Sequence, residues 1–263
     1  MYLVVHLFLM KLFLLLATIL LTVLNFIDKD FFINNTKKYE WEAFSPTMAI
    51  TLNSIDKVQN YIDAIANKEK VQKNTLPYIN IIAATLRERF YHGYSYYNCQ
   101  QNWMAYMSGK VIWQDLAAIV IPNDILQYPM AACSQQELVF IQLLKNNHIN
   151  YRKIIFKHHF ALEAAVGEKW YFFDTNLEPN FIHNNRESLQ QIISNKQLDA
   201  IYSGRILSNT IDSMLGTPKY GKINEFPAKN ALLFQQVTKF LSNWFWIIPF
   251  VFLCKRQFFS KKI

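Results

Sequence analysis

The sequence predicts an α+β domain held between two membrane-spanning helices. Three patterns indicate this class. Both ends of the 263-residue chain are apolar, apolar residues recur at helical spacing in several central segments, and two short runs alternate as β-strands do. We therefore expect one mixed domain with a membrane helix on each side.

The first apolar segment covers residues 1–27. It contains no acidic residue, and Lys11 is its one lysine or arginine. A membrane helix needs about 20 apolar residues, so we predict an N-terminal anchor in which Lys11 reaches one membrane surface. A cleaved signal peptide is the alternative, but no small-residue cleavage site follows the segment.

The second apolar segment covers residues 237–254. Trp244 and Trp246 suit the interface of a membrane, and a basic tail, residues 255–263, follows them. A helix lying on the membrane surface is the alternative, although both faces of the segment are apolar. Because basic flanks stay in the cytoplasm, we predict an inner-membrane protein with both termini cytoplasmic and the central domain periplasmic.

The positive charge of the chain does not indicate nucleic-acid binding. Of the 27 basic residues, five lie at the membrane ends: Lys11, Lys255, Arg256, Lys261 and Lys262. This leaves 22 basic residues against 19 acidic ones between the ends. Much of the net charge of +8 therefore belongs to membrane flanks, and we expect no nucleic-acid partner.

The central part is divided at about residue 76. Residues 28–75 are predicted to form a linker and an amphipathic helix, because apolar residues recur three or four positions apart between Met48 and Ile65. Residues 76–236 are predicted to form the main domain, which begins with a helix over residues 78–90.

Cys133 lies where another helix is predicted to begin. Pro129 precedes it, and apolar residues follow at helical spacing. The free N–H groups and positive dipole end of a helix start favour a thiolate, which is the nucleophilic form of cysteine, and suit a developing oxyanion. The alternatives are a small buried hydrophobic residue and, in an oxidising compartment, a disulfide with Cys99.

His159 and Asp174 are predicted to lie on the two strands of one hairpin. The chain from His159 alternates as a strand, an aromatic run precedes Asp174, and the residues around Gly167 form a turn. If Ala165 pairs with Glu168, His159 lies directly opposite Asp174, at a Cβ separation of about 5 Å. A carboxylate there accepts the imidazole N–H and favours the imidazolium of a thiolate–imidazolium pair.

Other polar residues remain alternatives. His158 is adjacent to His159, but strand alternation turns it to the other face. Glu163 shares the predicted face of His159 and either binds substrate or is solvated. The second donor for an oxyanion is left open among Trp103, Trp113 and Gln127.

At these residues the chain resembles the transglutaminase-like superfamily of papain-like cysteine enzymes. The likeness covers roughly residues 76–180 and consists of Cys133-Ser134-Gln135-Gln136-Glu137-Leu138, His159-Phe160-Ala161-Leu162-Glu163 and Trp170-Tyr171-Phe172-Phe173-Asp174. It implies a papain-like core, in which a helix bearing the Cys packs on an antiparallel sheet bearing the His and the Asp. It also implies that Cys133 is the nucleophile, His159 its base and Asp174 the carboxylate that orients His159.

The chain departs from that family at two places beside the motif. Ala131-Ala132 stands where the family often has Gly before the Cys, and Thr175 stands where it often has Pro after the Asp. Neither position supplies a reacting atom.

The resemblance implies cleavage or transfer of an amide-linked acyl group through a thioester. The substrate would be a protein or peptide, with an amine acceptor in the case of transfer, and the choice between hydrolysis and transfer stays open. No cofactor or metal is expected, since the sequence has neither a phosphate-binding glycine loop nor a His/Cys cluster with metal spacing. The rival interpretation is a non-catalytic, membrane-tethered scaffold or binding module of an envelope or polysaccharide assembly that retains the fold.

Overall fold

The computed structural model describes residues 2–23, 42–177, 185–204 and 215–259. Within these ranges the chain is α+β, with a four-stranded antiparallel sheet and a mostly helical remainder, which confirms the α+β part of the predicted class. It divides into two compact units. Residues 96–118 group with the two ends of the chain in one of these units.

The first unit, which we call the helical unit, consists of four helices within the described residues: α1 (Tyr2–Val23), α5 (Cys99–Val111), α10 (Lys229–Trp244) and α11 (Ile247–Phe259). A short 3-10 helix, Gln114–Leu116, follows α5. α1 packs against α11.

One helical stretch among the described residues, Lys229–Cys254, is long and apolar enough to cross a membrane by length and composition. The apolar helix at the N-terminus, Phe8–Val23, is shorter. The longer stretch is interrupted between Trp244 and Ile247. Pro249 accounts for this break, because its ring lacks an N–H and clashes with the carbonyl of Phe245, four residues earlier.

The second unit, which we call the αβ unit, contains the remaining helices of the described chain. They are α2 (Pro46–Thr51), α3 (Ile55–Glu69), α4 (Leu76–Arg89), α6 (Pro122–Ile125), α7 (Cys133–Asn146), α8 (Leu189–Ser194) and α9 (Leu198–Tyr202). The single amphipathic helix predicted between Met48 and Ile65 is wrong in one respect. The chain breaks it into α2 and α3, because the hydroxyl of Ser54 accepts the N–H of Lys57 and starts a new helix. Most of the predicted linker lies outside the described residues.

The sheet consists of β1 (Tyr151–Ile155), β2 (Phe160–Val166), β3 (Lys169–Phe173) and β4 (Lys219–Tyr220), in the order β3-β2-β1-β4. Consecutive strand residues face opposite sides, and the last two of β3 show which helices cover each side. Phe173 meets Phe140 of α7 edge to face, with ring centroids 5.5 Å apart. Phe172 belongs instead to a buried cluster that includes Leu189 of α8 and Tyr202 of α9. The sheet therefore lies between α7 and the pair α8–α9.

Candidate active site

Cys133 is the first residue of α7, as predicted. It is buried, with 8% of its surface exposed, and Ala132, which precedes it, makes no side-chain hydrogen bond to the helix start. The three cysteines of the chain are all free thiols, so the alternative of a disulfide between Cys99 and Cys133 is wrong. The sulfur therefore lies at the positive end of a 14-residue helix, where an anion is favoured.

The start of α7 is held in place by an extended segment that runs beside it. Tyr91 forms a parallel bridge with Met130, and the N–H of Ala131 donates to the carbonyl of Tyr91 at 3.0 Å. The buried amide of Gln135 donates to the carbonyls of Ser95 and Ile119, at 2.8 and 2.9 Å. Its Oε1 accepts the N–H of Ser95 at 2.9 Å. These bonds fix the turn that carries Cys133.

His159 and Asp174 are in direct contact. The Nε2–H of His159 donates to Oδ2 of Asp174 at 2.7 Å, and both side chains are buried. Oδ2 also accepts the hydroxyl of Tyr202 at 2.8 Å, and Oδ1 accepts the N–H of Leu177 at 3.0 Å. A carboxylate with these three donors is fixed in orientation and stabilised in its ionised form.

The predicted hairpin register is wrong by two residues. Ala165 pairs with Trp170, and the turn is the two-residue loop Gly167-Glu168, in which Gly167 adopts φ of 60°. Such a loop needs positive φ at its first position, which glycine adopts without strain. A shift of two residues keeps every side chain on its face, whereas a shift of one would reverse it. His159 and Asp174 thus meet just beyond the paired ends of β2 and β3.

Cys133 lies close enough to the imidazole of His159 for its sulfur to favour the imidazolium. Since Nε2 is taken by Asp174, Nδ1 is the nitrogen available to the sulfur. Burial alone would lower the pKa of His159, but the charge and hydrogen bond of Asp174, together with Cys133, raise it to about 10. Burial would raise the pKa of Asp174, yet His159 and the bonds from Leu177 and Tyr202 hold it below its usual range. The imidazolium–carboxylate pair is therefore the stable form at neutral pH.

The sequence patterns did not indicate two further ionisable residues that lie beside these three. Glu137, one helical turn after Cys133, is 3% exposed, and its Oε1 accepts the hydroxyl of Thr175 at 3.3 Å. His92 lies near Asn176, and its backbone N–H donates to the carboxylate of Glu42. Burial lowers the pKa of His92. Neither residue has a local signature, because contacts across the fold bring each to the site.

Burial and the charge of Asp174 raise the pKa of Glu137 well above its usual range, against a lowering by His159 and the bond from Thr175. A group whose pKa is raised on folding stabilises the fold below its unfolded value, and this contribution is lost as the pH rises. Glu137→Gln stays neutral throughout, so its melting temperature should exceed that of the unmodified chain at about pH 8. The difference should shrink towards about pH 4. A difference in melting temperature that stays constant with pH would contradict a protonated Glu137.

The remaining residues proposed from the sequence lie elsewhere. His158 is exposed, which leaves His159 as the buried imidazole of the pair. Gln127 donates to the carbonyl of Asn53 at 2.7 Å and is committed there. Trp103 and Trp113 belong to the helical unit. None of these three residues is proposed as the second oxyanion donor.

Glu163 neither faces solvent nor is free to bind substrate. It is fully buried, and its Oε2 accepts Nε and Nη2 of Arg152, each at 2.6 Å. Its Oε1 accepts the N–H of Leu189 at 2.7 Å, at the first residue of α8. Both sequence-based interpretations of Glu163 are wrong, because this residue joins β1, β2 and α8 through a buried ion pair.

Within the described ranges no group of three or more His, Cys, Asp or Glu side chains is arranged to hold a metal ion. The chemistry that the arrangement offers is that of a thiol at a helix start, an imidazole near it, and a buried carboxylate that fixes the imidazole. Comparison of the chain with protein-family models, curated proteins and solved structures gives no match.

Proposed function

We propose that this protein is a membrane-anchored cysteine enzyme with a transglutaminase-like, papain-like core, which cleaves or transfers an amide-linked acyl group. One observation supports it above all others. A free thiol at the start of α7 lies near an imidazole whose Nε2 donates to a buried carboxylate at 2.7 Å. Burying three such groups costs free energy unless they interact with one another. A catalytic role for the three together therefore explains their burial.

The proposed reaction begins with the ion pair of Cys133 and His159. The thiolate adds to the amide carbonyl, and the carbonyl oxygen becomes an oxyanion near the N–H groups at the start of α7. The C–N bond then breaks as the imidazolium of His159 protonates the departing amine, which leaves a thioester on Cys133. Asp174 holds the ring in place and stabilises its charged form.

The thioester is released by a second acyl transfer. His159, now neutral, takes a proton from a water molecule or an acceptor amine as that group attacks the thioester carbonyl. The C–S bond breaks, and the thiolate–imidazolium pair returns. Water yields a carboxylic acid, and an amine yields a new amide, so hydrolysis and transfer share every residue of the site.

We also propose that the protein lies in the inner membrane with two spans, both termini in the cytoplasm and the αβ unit in the periplasm. The stretch Lys229–Cys254 supports membrane attachment by its length and composition. The side chains of α1 support a second contact with lipid, since Phe8, Phe13 and Leu20 are 65%, 70% and 62% exposed. The basic residues at positions 255–262 favour a cytoplasmic C-terminus.

The proposed acyl chemistry is tested with p-nitrophenyl acetate, an activated acyl donor that needs no specific substrate pocket. The purified full chain in nanodiscs should release a burst of about one p-nitrophenolate per chain. Mass spectrometry should find the acetyl group on Cys133, in a form that hydroxylamine removes. Cys133→Ala should abolish the burst, and the matched control Cys99→Ala should retain it.

A burst that persists in Cys133→Ala, or an acetyl group found on Cys99, would contradict the proposal. The fate of the acetyl group separates the two outcomes of turnover. Acetate released at the same rate with and without monodansylcadaverine indicates hydrolysis, whereas acetylated dansylcadaverine indicates transfer.

A further inference from the structure

The helical unit buries polar side chains between α5 and α10. Asn102 of α5 is fully buried, and Gln235, Thr238 and Ser242 of α10 are 1%, 8% and 6% exposed. The amide of Asn102 donates to Oγ1 of Thr238 at 3.0 Å, and the hydroxyl of Ser242 donates to Oδ1 of Asn102 at 3.1 Å. Hydrogen bonds of this kind join helices where no water competes for the polar groups.

Large apolar side chains are exposed on the same helices. On α10, Leu233 and Phe240 are each 62% exposed. At the end of α5, Val111 and Ile112 are each 76% exposed and Trp113 is 63% exposed. Water-soluble domains have the opposite arrangement, with apolar groups inside and few large exposed apolar patches. Polar residues inside and apolar residues outside indicate surroundings of lipid.

The composition of the segment around α5 agrees with this. Between Arg89 and Asp115, Lys110 is the only lysine, arginine, aspartate or glutamate. Lys110 places its ammonium 5.7 Å from the ring centroid of Tyr106. Tryptophan, tyrosine and a lysine beside an apolar tip are typical of the boundary between hydrocarbon and headgroups.

α5 is too short to cross a bilayer. Its 13 residues, which include a non-helical kink at Asn102, extend over at most about 20 Å, against a hydrocarbon core of about 30 Å. A helix of this length reaches into one leaflet only. Trp103, beside Asn102, meets Phe245, just after the end of α10, at a centroid distance of 5.8 Å. The contacts of α5 with α10 thus lie at residues 102–104, and the end of α5 projects beyond them.

We propose that α5 is a third lipid-contacting element of this protein, and that its apolar tip, Met107–Trp113, inserts into one leaflet of a phospholipid bilayer beside α10. The occupant of this surface is lipid because its exposed apolar residues belong to the same unit as the candidate span. The inference does not depend on the chemistry of Cys133.

Spin labels on matched residues test the insertion. Ile112→Cys and Ile50→Cys are compared in the full chain, with the native cysteines replaced by alanine, in phosphatidylcholine nanodiscs that hold one chain each. Ile50, in α2 of the αβ unit, is 75% exposed and matches Ile112 in residue type and exposure. We expect the Ile112 label to collide with oxygen several-fold more often than with a water-soluble nickel chelate, and the Ile50 label to show the reverse.

Equal access of the nickel chelate to both labels would overturn the proposal. A label at Ile112 that is shielded from both reagents, with dipolar broadening when two chains share a disc, would overturn it in favour of a second copy of the chain. If the cysteine-free background does not fold, the chain with its native cysteines is used. Lipids that carry a doxyl group should then quench the fluorescence component that Trp113→Phe removes, and a failure to quench this component would also refute insertion.

Discussion

Replacing Asp174 by Asn should lower the rate at which iodoacetamide alkylates Cys133 at about pH 6 by about 100-fold. Without a charged imidazolium beside it, Cys133 should react as an ordinary cysteine, of which only about 0.3% is the reactive thiolate at that pH. The substitution keeps the size of the side chain but removes the charge that stabilises the imidazolium of His159. Asn also presents an N–H₂ group that cannot accept from Nε2–H, so the ring loses its fixed tautomer. The rate is measured by mass spectrometry on the peptide that contains Cys133.

Two controls separate loss of the charge from loss of the fold. Alkylation of Cys99 in the same sample should stay unchanged. Tyr202→Phe, which removes one of the hydrogen bonds to Oδ2 of Asp174 and leaves its charge, should have a much smaller effect. An Asp174→Asn chain that keeps its circular dichroism spectrum and alkylates Cys133 at the original rate would contradict the role assigned to Asp174.

The same pair sets a pH window for stability. His159 has its pKa raised from 6.5 to about 10 in the folded chain, so its contribution is complete below 6.5 and is lost as the pH rises through about 10. Asp174 has its pKa lowered from 3.8, so its contribution is present above that value and is lost as the pH falls below it. Between these limits the two side chains stabilise the fold together.

Replacing Arg89 by Met should destabilise the chain by about 3–5 kcal/mol, because three buried carbonyls lose the guanidinium that donates to them. Arg89 is fully buried, and its guanidinium donates to the carbonyls of Leu52, Tyr128 and Leu126 at 2.9, 3.0 and 2.6 Å. Burial lowers the pKa of Arg89 to about 10, which leaves it charged at neutral pH. Methionine fills much of the same space but donates no hydrogen bond to these carbonyls.

The effect is measured as a fall of about 10 °C in the melting temperature of the full chain in detergent. Arg87→Met, two residues earlier on the same helix, is the matched control and should cost less than about 1 kcal/mol. Arg89→Lys should fall between the two, since one ammonium cannot reach three carbonyls in the fork geometry of arginine. Similar melting temperatures for Arg87→Met and Arg89→Met would show that the carbonyl network contributes little.

Local sequence patterns predicted where Cys133 lies and that His159 meets Asp174. A helix start depends on a few adjacent residues, and the alternation of a strand fixes a face even when the register is misjudged by two. The patterns did not predict that Tyr202 donates to Asp174 or that Glu163 is buried with Arg152. These contacts join residues far apart in the sequence, and only the packing of α8 and α9 on the sheet brings them together.

The place of α5 was also beyond the sequence patterns. Polar residues such as Asn, Gln and Ser alternate in α5 with Trp, Met and Tyr, without a clear helical periodicity. No local sequence pattern therefore shows that Asn102 lies on the buried side of the helix. The partners of Asn102 are Thr238 and Ser242, more than 130 positions away. The side of α5 that faces outward is defined only once that pairing is known.

The central claim is that Cys133 is an activated thiol, and the alkylation rates of two cysteines in one chain test it most directly. Cys133 is 8% exposed and Cys99 is half-buried, so accessibility alone would make Cys99 react faster. Iodoacetamide at about pH 6 should instead alkylate Cys133 at least about tenfold faster than Cys99. Both cysteines begin a helix, but Cys133 has an imidazolium beside it. Equal rates, or faster alkylation of Cys99, would contradict the account.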